Sequence, residues 1–221
     1  MRRDQPSKRI LNQNAHGQAE MARLNREWAA QNRLSILPKC DPFVRSILDD
    51  GVGNFLGHGA FSLVYAIDNE RVLKLTRDLT TLKIMQKLST RSHYFPRVDL
   101  LLEQQASDAE DTVYHAAVVE RLQEGCPEWV VSVVDGYRGS FRADSPGLVH
   151  ARLLDVSYRI ASGDIVVPSE DVDQFSAAMR ILAEECFAWR CLADLRTELN
   201  FMMRVNGQVV VADPAHPYGQ M

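Results

Sequence analysis

Apolar residues recur at helical spacing from Gln18 to Leu37, at Met21, Leu24, Trp28, Ala29 and Leu34, and Pro38 ends the run. A short helix is expected over Pro42–Asp50, with Phe43, Val44, Ile47 and Leu48 on its apolar face, Pro42 in its first turn and Gly51 closing it. The pattern then changes to strand-like runs at Val52–Leu56, Leu63–Ile67 and Arg71–Leu75, broken by Gly57, Gly59 and the turn Asp68-Asn69. A helix follows at Leu79–Leu88, and then two strands, Val98–Glu103 and Val113–Leu122, joined by the charged loop Gln104–Asp111. The remainder reads as helical over Pro127–Tyr137, Leu148–Ser162 and Ser169–Leu192, the last opened by Ser169, Asp171 and Asp173 as caps and negative charge. Asn200–Arg204 and Gln208–Ala212 form a hairpin turned by Asn206-Gly207. Five strands with one inserted helix, then helices, predict an α+β chain of two lobes. The expected divisions are a polar tail and helical extension over 1–50, a strand-rich lobe over 51–122 and a mainly helical lobe over 123–221.

Composition narrows the setting. The 221 residues are 46% hydrophobic and 24% charged, ordinary for a globular protein with its own core. No apolar run approaches the roughly 18 residues of a membrane span, so no membrane association is expected. Met1–Leu11 carries Arg2, Arg3, Lys8 and Arg9 but no apolar stretch after them, which argues against a secretory signal. The net charge of −4 offers no basic field for phosphodiester backbones, so nucleic acid is not expected as a partner. Cys40, Cys126, Cys186 and Cys191 make no C-x-x-C pair and read as free thiols in a reducing, cytoplasmic setting.

Four motifs carry candidate chemistry. Gly57-His58-Gly59-Ala60-Phe61-Ser62-Leu63-Val64 lies between two strands, where missing side chains let backbone approach a phosphate. Its place between strands, and not at a helix start, argues against a dinucleotide site. Val72-Leu73-Lys74-Leu75 puts a lysine inside an apolar strand directly after that hairpin. Asp194-Leu195-Arg196-Thr197-Glu198-Leu199-Asn200 follows the longest helical run, and Val211-Ala212-Asp213-Pro214 ends the terminal hairpin. Two carboxylates and an amide in this order are what phosphoryl transfer uses to orient a hydroxyl and hold Mg²⁺.

In these motifs the sequence resembles the eukaryotic-like serine/threonine protein kinase superfamily over roughly Val52 to Pro214, and is most similar to the small kinases made early by lytic podophages. The resemblance implies a bilobal kinase-like fold, with a five-stranded antiparallel N-lobe and a truncated helical C-lobe. It implies ATP and Mg²⁺ as cofactors and a host-cell protein as substrate, in the cytoplasm of that cell. Gly57, His58, Gly59, Ala60, Phe61 and Val64 would then cover the nucleotide, and Lys74 would hold its phosphates. Val119 would be the gatekeeper, with Glu120 and Leu122 offering backbone hydrogen bonds to adenine. Asp194 would be the catalytic base, Arg196 a second cation for the γ-phosphate, and Asn200 and Asp213 the metal ligands.

The chain also departs from the family. Leu192-Ala193-Asp194 replaces H-R-D, and Asp213-Pro214-Ala215 replaces D-F-G. The spacing from Asp194 to Asn200 is one residue longer than usual, which leaves Asp194 or Glu198 as the base. Helix Leu79–Leu88 offers no glutamate to Lys74, with Gln86 as the substitute. Eight residues after Asp213 leave no room for an activation loop, so the form implied is minimal and not switched by loop phosphorylation. A secreted bacterial effector kinase of similarly reduced size is the main variant of this reading. The alternatives are a pseudokinase or nucleotide-binding module that inhibits a partner by binding, and a transferase acting on a small molecule. For the helix Gln18–Leu37, bracing the strand-rich lobe and serving as a docking arm both remain open.

Overall fold

The computed structural model describes residues 20, 23–25, 27–50, 54–58, 62–138, 145–195 and 200–217. It is a mixed α+β structure that divides into two compact units. The first comprises Met1–Asp68, Val72–Arg77 and Leu102–Ala116, and the second Asn69–Arg71, Asp78–Leu101 and Ala117–Met221.

The first unit is built on a sheet whose strands run in the order β1-β5-β6-β4-β3-β2. These are β1 Ser35–Ile36, β2 Phe55–His58, β3 Ser62–Ala66, β4 Arg71–Thr76, β5 Val98–Ser107 and β6 Val113–Glu120. The outer ends of β5 and β6 are counted with the second unit. Leu63 pairs with Leu75, and Tyr65 with both Phe55 and Leu73, so these buried side chains share one face. Val64 pairs with Lys74 and with Gly57, which puts those three on the other face. Helix α1, Pro42–Asp50, starts where Asp41 Oδ1 accepts the Phe43 N–H at 2.9 Å, and it buries Val44, Ile47 and Leu48. The β5–β6 turn is held by Asp108, whose Oδ1 accepts the N–H groups of Glu110 and Thr112 at 3.0 and 2.9 Å.

The described part of the expected N-terminal helix is helical at 23–25 and 27–31, then gives way to β1. Its Trp28 stacks on His58 at 4.1 Å and on Phe55 at 5.5 Å between ring centroids. Asn25 Nδ2 donates to the Leu56 carbonyl at 2.8 Å. The segment thus braces β2, the strand that enters the glycine-rich turn. Trp28→Ala removes two aromatic contacts and the apolar cover of β2, at an expected cost of about 2 kcal/mol in the urea unfolding free energy. An unchanged urea midpoint would show that the brace contributes nothing.

The second unit holds α2 Leu79–Ser89, α3 Trp129–Tyr137, α4 Pro146–Ala161 and α5 Val172–Ala188. It also holds two small antiparallel ladders, β7 Cys191–Ala193 with β10 Ala215–Pro217, and β8 Phe201–Met203 with β9 Val209–Val211. Gly207 turns the second ladder at a φ of 86°, where a side chain would be strained. The core gathers Val130, Val133 and Val134 from α3, Leu153, Val156 and Ile160 from α4, and Phe175, Met179 and Leu182 from α5. Phe175 meets the rings of Tyr94 and Trp129 edge-on at 4.9 and 5.2 Å. Asp78 caps α2 by accepting the N–H groups of Thr80 and Thr81.

One buried carboxylate ties α2 to α5. Glu185, with its side chain 3% exposed, accepts from Lys87 Nζ at 2.9 Å, Arg91 Nη1 at 2.6 Å and Trp189 Nε1 at 3.2 Å. Burial alone would push its carboxyl up, but the hydrogen bonds from Lys87 and Arg91 outweigh it and hold the group below its ordinary value.

Several boundaries differ from expectation. The helix expected over Ser169–Leu192 stops at Ala188, because Arg190 turns into the left-handed region at a φ of 52° and Cys191–Ala193 becomes a strand. Asp171 stands at its N-cap position without a side-chain cap bond, and its carboxylate instead accepts the Tyr94 hydroxyl. Among the described residues, no helix is long and apolar enough to cross a membrane.

Candidate functional site

The strand face opposite the first unit's apolar side carries Gly57, Val64 and Lys74 in one line across β2, β3 and β4. Lys74 is 9% exposed, a buried ammonium in the middle of a strand. Gly57 is not among the positive-φ glycines. Among the described residues, a Cβ there would meet Asn25 Nδ2 at 3.6 Å, an ordinary van der Waals contact. His58 pairs with Leu63 and stacks on Trp28, so its ring lies on the face away from Lys74. Gly59, Ala60 and Phe61 lie outside the described residues.

In the second unit, Asp194, Asn200 and Asp213 are drawn together by a closed circuit of hydrogen bonds. The Asp194 N–H donates to the Pro214 carbonyl at 3.1 Å, one residue beyond Asp213. The Ala212 N–H, one residue before Asp213, donates to the Asn200 carbonyl at 2.8 Å. Asn200 Nδ2 donates to the Asp194 carbonyl at 2.7 Å. The β7–β10 register, with Ala193 opposite Ala215, sets the first of these contacts. Asn200 uses its amide N–H on backbone, which leaves Oδ1 as the end that can ligate. Asp194 and Asp213 are both half-buried.

Two carboxylates and an amide oxygen suit Mg²⁺, which takes few protein ligands and completes its shell with phosphate oxygens and water. Among the described residues, no group of three or more His, Cys, Asp or Glu side chains could hold a metal without such help. Arg196 and Glu198 lie outside the described residues.

The segment after β6 is also fixed within the second unit. The Arg121 N–H donates to the Glu70 carbonyl at 2.7 Å, and Gln123 exchanges two backbone bonds with Met203, at 2.7 and 3.0 Å. Leu122 sits between these anchors, and Val119 is buried at the end of β6. The Glu120 N–H is taken by the Arg97 carbonyl at 2.9 Å. Its carboxylate is held by Arg204, at 2.7 and 3.0 Å, and by the Arg97 N–H at 3.0 Å. The Glu120 N–H is therefore engaged within the unit and is not the group that could meet adenine at that residue. Gln86, expected opposite Lys74, is exposed on α2.

Sequence reasoning passed over Tyr137, whose hydroxyl donates to the Ala193 carbonyl at 3.1 Å. In the sequence it ends an apolar helical stripe and carries no mark of a polar duty. No protein-family model, curated protein or solved structure matches this chain.

Proposed function

We propose that this chain is a minimal serine/threonine protein kinase of bilobal kinase type, which transfers the γ-phosphate of ATP to a host-cell protein. The substrate hydroxyl oxygen forms a bond to the γ-phosphorus, the bond from that phosphorus to the bridging oxygen of ADP breaks, and the hydroxyl proton passes to Asp194 or Glu198. Mg²⁺, when bound, neutralises charge that develops on the phosphate oxygens. Asn200 and Asp213 hold it, and Lys74 and Arg196 steady the phosphates. Gly57 and Val64 cover the nucleotide, while Glu120 and Leu122 meet the adenine edge through backbone.

The observation that carries this reading is the hydrogen-bonded circuit joining Asp194, Asn200 and the residues flanking Asp213. Such a circuit ties Asp194, Asn200 and the neighbours of Asp213 from three separate stretches of chain, which supports a shared role for them. The buried Lys74, in line with Gly57 across β2, β3 and β4, is a second support. The test is incubation of the purified protein with γ-labelled ATP, Mg²⁺ and a host-cell lysate. Label is expected on lysate proteins, and Lys74→Ala is expected to reduce it about 10²-fold.

A second reading rests on α2, whose sequence LTTLKIMQKLS contains no carboxylate. With no acid on that helix to orient Lys74, the chain would bind nucleotide and inhibit a partner without transferring phosphate. ATP binding with no label transferred would favour it.

A further inference from the structure

We propose that Tyr137 is a positioning residue for Asp194, an inference that rests on the phosphotransfer reading above. In a trans peptide, the C=O of Ala193 and the N–H of Asp194 point in opposite directions. The N–H points toward the β10 side, where Pro214, the residue just before β10, accepts it. The carbonyl therefore points off the opposite edge of β7, where the ladder has no further strand among the described residues. A buried carbonyl there needs a donor, and the Tyr137 hydroxyl supplies it at 3.1 Å.

Asn200 Nδ2 then holds the carbonyl of Asp194 itself, on the next peptide. Both peptides that meet at the Asp194 Cα are pinned, and with them the direction in which its carboxylate leaves the backbone. Two of the three pins come from the 200–217 stretch. Tyr137 brings the third from α3, where Val130, Val133, Val134 and Tyr137 form one buried stripe at helical spacing. The residue is 2% exposed, so water does not replace the bond.

Tyr137→Phe keeps the ring and its packing and removes only the donor. Steady-state phosphate transfer from MgATP to host-cell lysate protein is measured for the wild type, for Tyr137→Phe, and for Tyr158→Phe on the exposed face of α4 (71% exposed). Amide hydrogen exchange is followed on the same three proteins. The expected result for Tyr137→Phe is a fall in kcat of about tenfold with KM for ATP within about twofold. Exchange should be faster at 193–195, and unchanged in the cores of α4 and α5. Tyr158→Phe should match the wild type in both.

An unchanged kcat would overturn the proposal. So would a lower kcat accompanied by faster exchange across the whole second unit, which marks general loosening. A wild type that transfers no phosphate would remove the reaction and the positioning role with it. The exchange pattern at Asp194 would then separate that failure from one in which Tyr137 does not hold the peptide.

Discussion

Replacing Asp213 by asparagine is expected to lower phosphate transfer by about 10³-fold while leaving the fold intact. The substitution keeps the size and planarity of the side chain and removes the charge that a hard divalent cation requires. The backbone circuit around it does not depend on that charge. The Asp194 N–H still meets Pro214, and the Ala212 N–H still meets Asn200. Mn²⁺ binding in the presence of ATP, followed by electron paramagnetic resonance, should weaken in parallel with transfer. Thermal unfolding should shift little, since Asp213 is only half-buried. Wild-type transfer rates in Asp213→Asn would remove the residue from the metal site.

The second large effect lies away from the chemistry. Glu185→Ala is expected to cost about 2–3 kcal/mol, below the usual range for breaking a buried ion pair. The discount follows from exposure. Lys87 and Arg91 are 51% and 35% exposed, so both can turn to water once the carboxylate is gone. The partly buried Trp189 Nε1 contact is lost as well. For a chain of this length the shift in Tm is roughly 4–12 °C.

The same residue predicts a pH dependence. Its folded-state pKa lies below the ordinary value, because the bonds from Lys87 and Arg91 outweigh the burial that pushes it up. The stability it contributes is therefore fully present above the unfolded pKa, roughly 4.3, and is lost as pH falls through the lowered folded value. Urea unfolding between about pH 5 and pH 3 should show wild type and Glu185→Gln converging. A gap that stays constant over that range would contradict the assignment.

The elements legible in the sequence are those that local chemistry determines. Asn206-Gly207 announces its hairpin, because only a residue without a side chain takes the φ of Gly207 without strain. The spacing of Leu79, Leu82, Ile84, Met85 and Leu88 announces α2, and the apolar runs Leu63–Ile67 and Arg71–Leu75 announce two strands of the sheet. What stayed hidden depends on partners far along the chain. Ser35–Ile36 is a strand because Ser107 and Ala106 lie beside it. Cys191–Ala193 continues a helical pattern in sequence, yet pairs with Ala215–Pro217. The sequence order of Asp194, Asn200 and Asp213 suggested a site. Neither the bond from Asn200 to the Asp194 backbone nor the tyrosine behind Ala193 can be read from spacing.

The central claim is that Asn200 and Asp213 hold the metal of a nucleotide complex beside Asp194. Its most direct test is a crystal grown with Mn²⁺ and a non-hydrolysable ATP analogue, with Mn²⁺ located by its anomalous scattering. The account predicts Mn²⁺ within coordination distance of Asn200 Oδ1 and an Asp213 carboxylate oxygen, also bound to the analogue's phosphates. Nucleotide and Mn²⁺ bound at other residues, with Asn200 and Asp213 uninvolved, would contradict it.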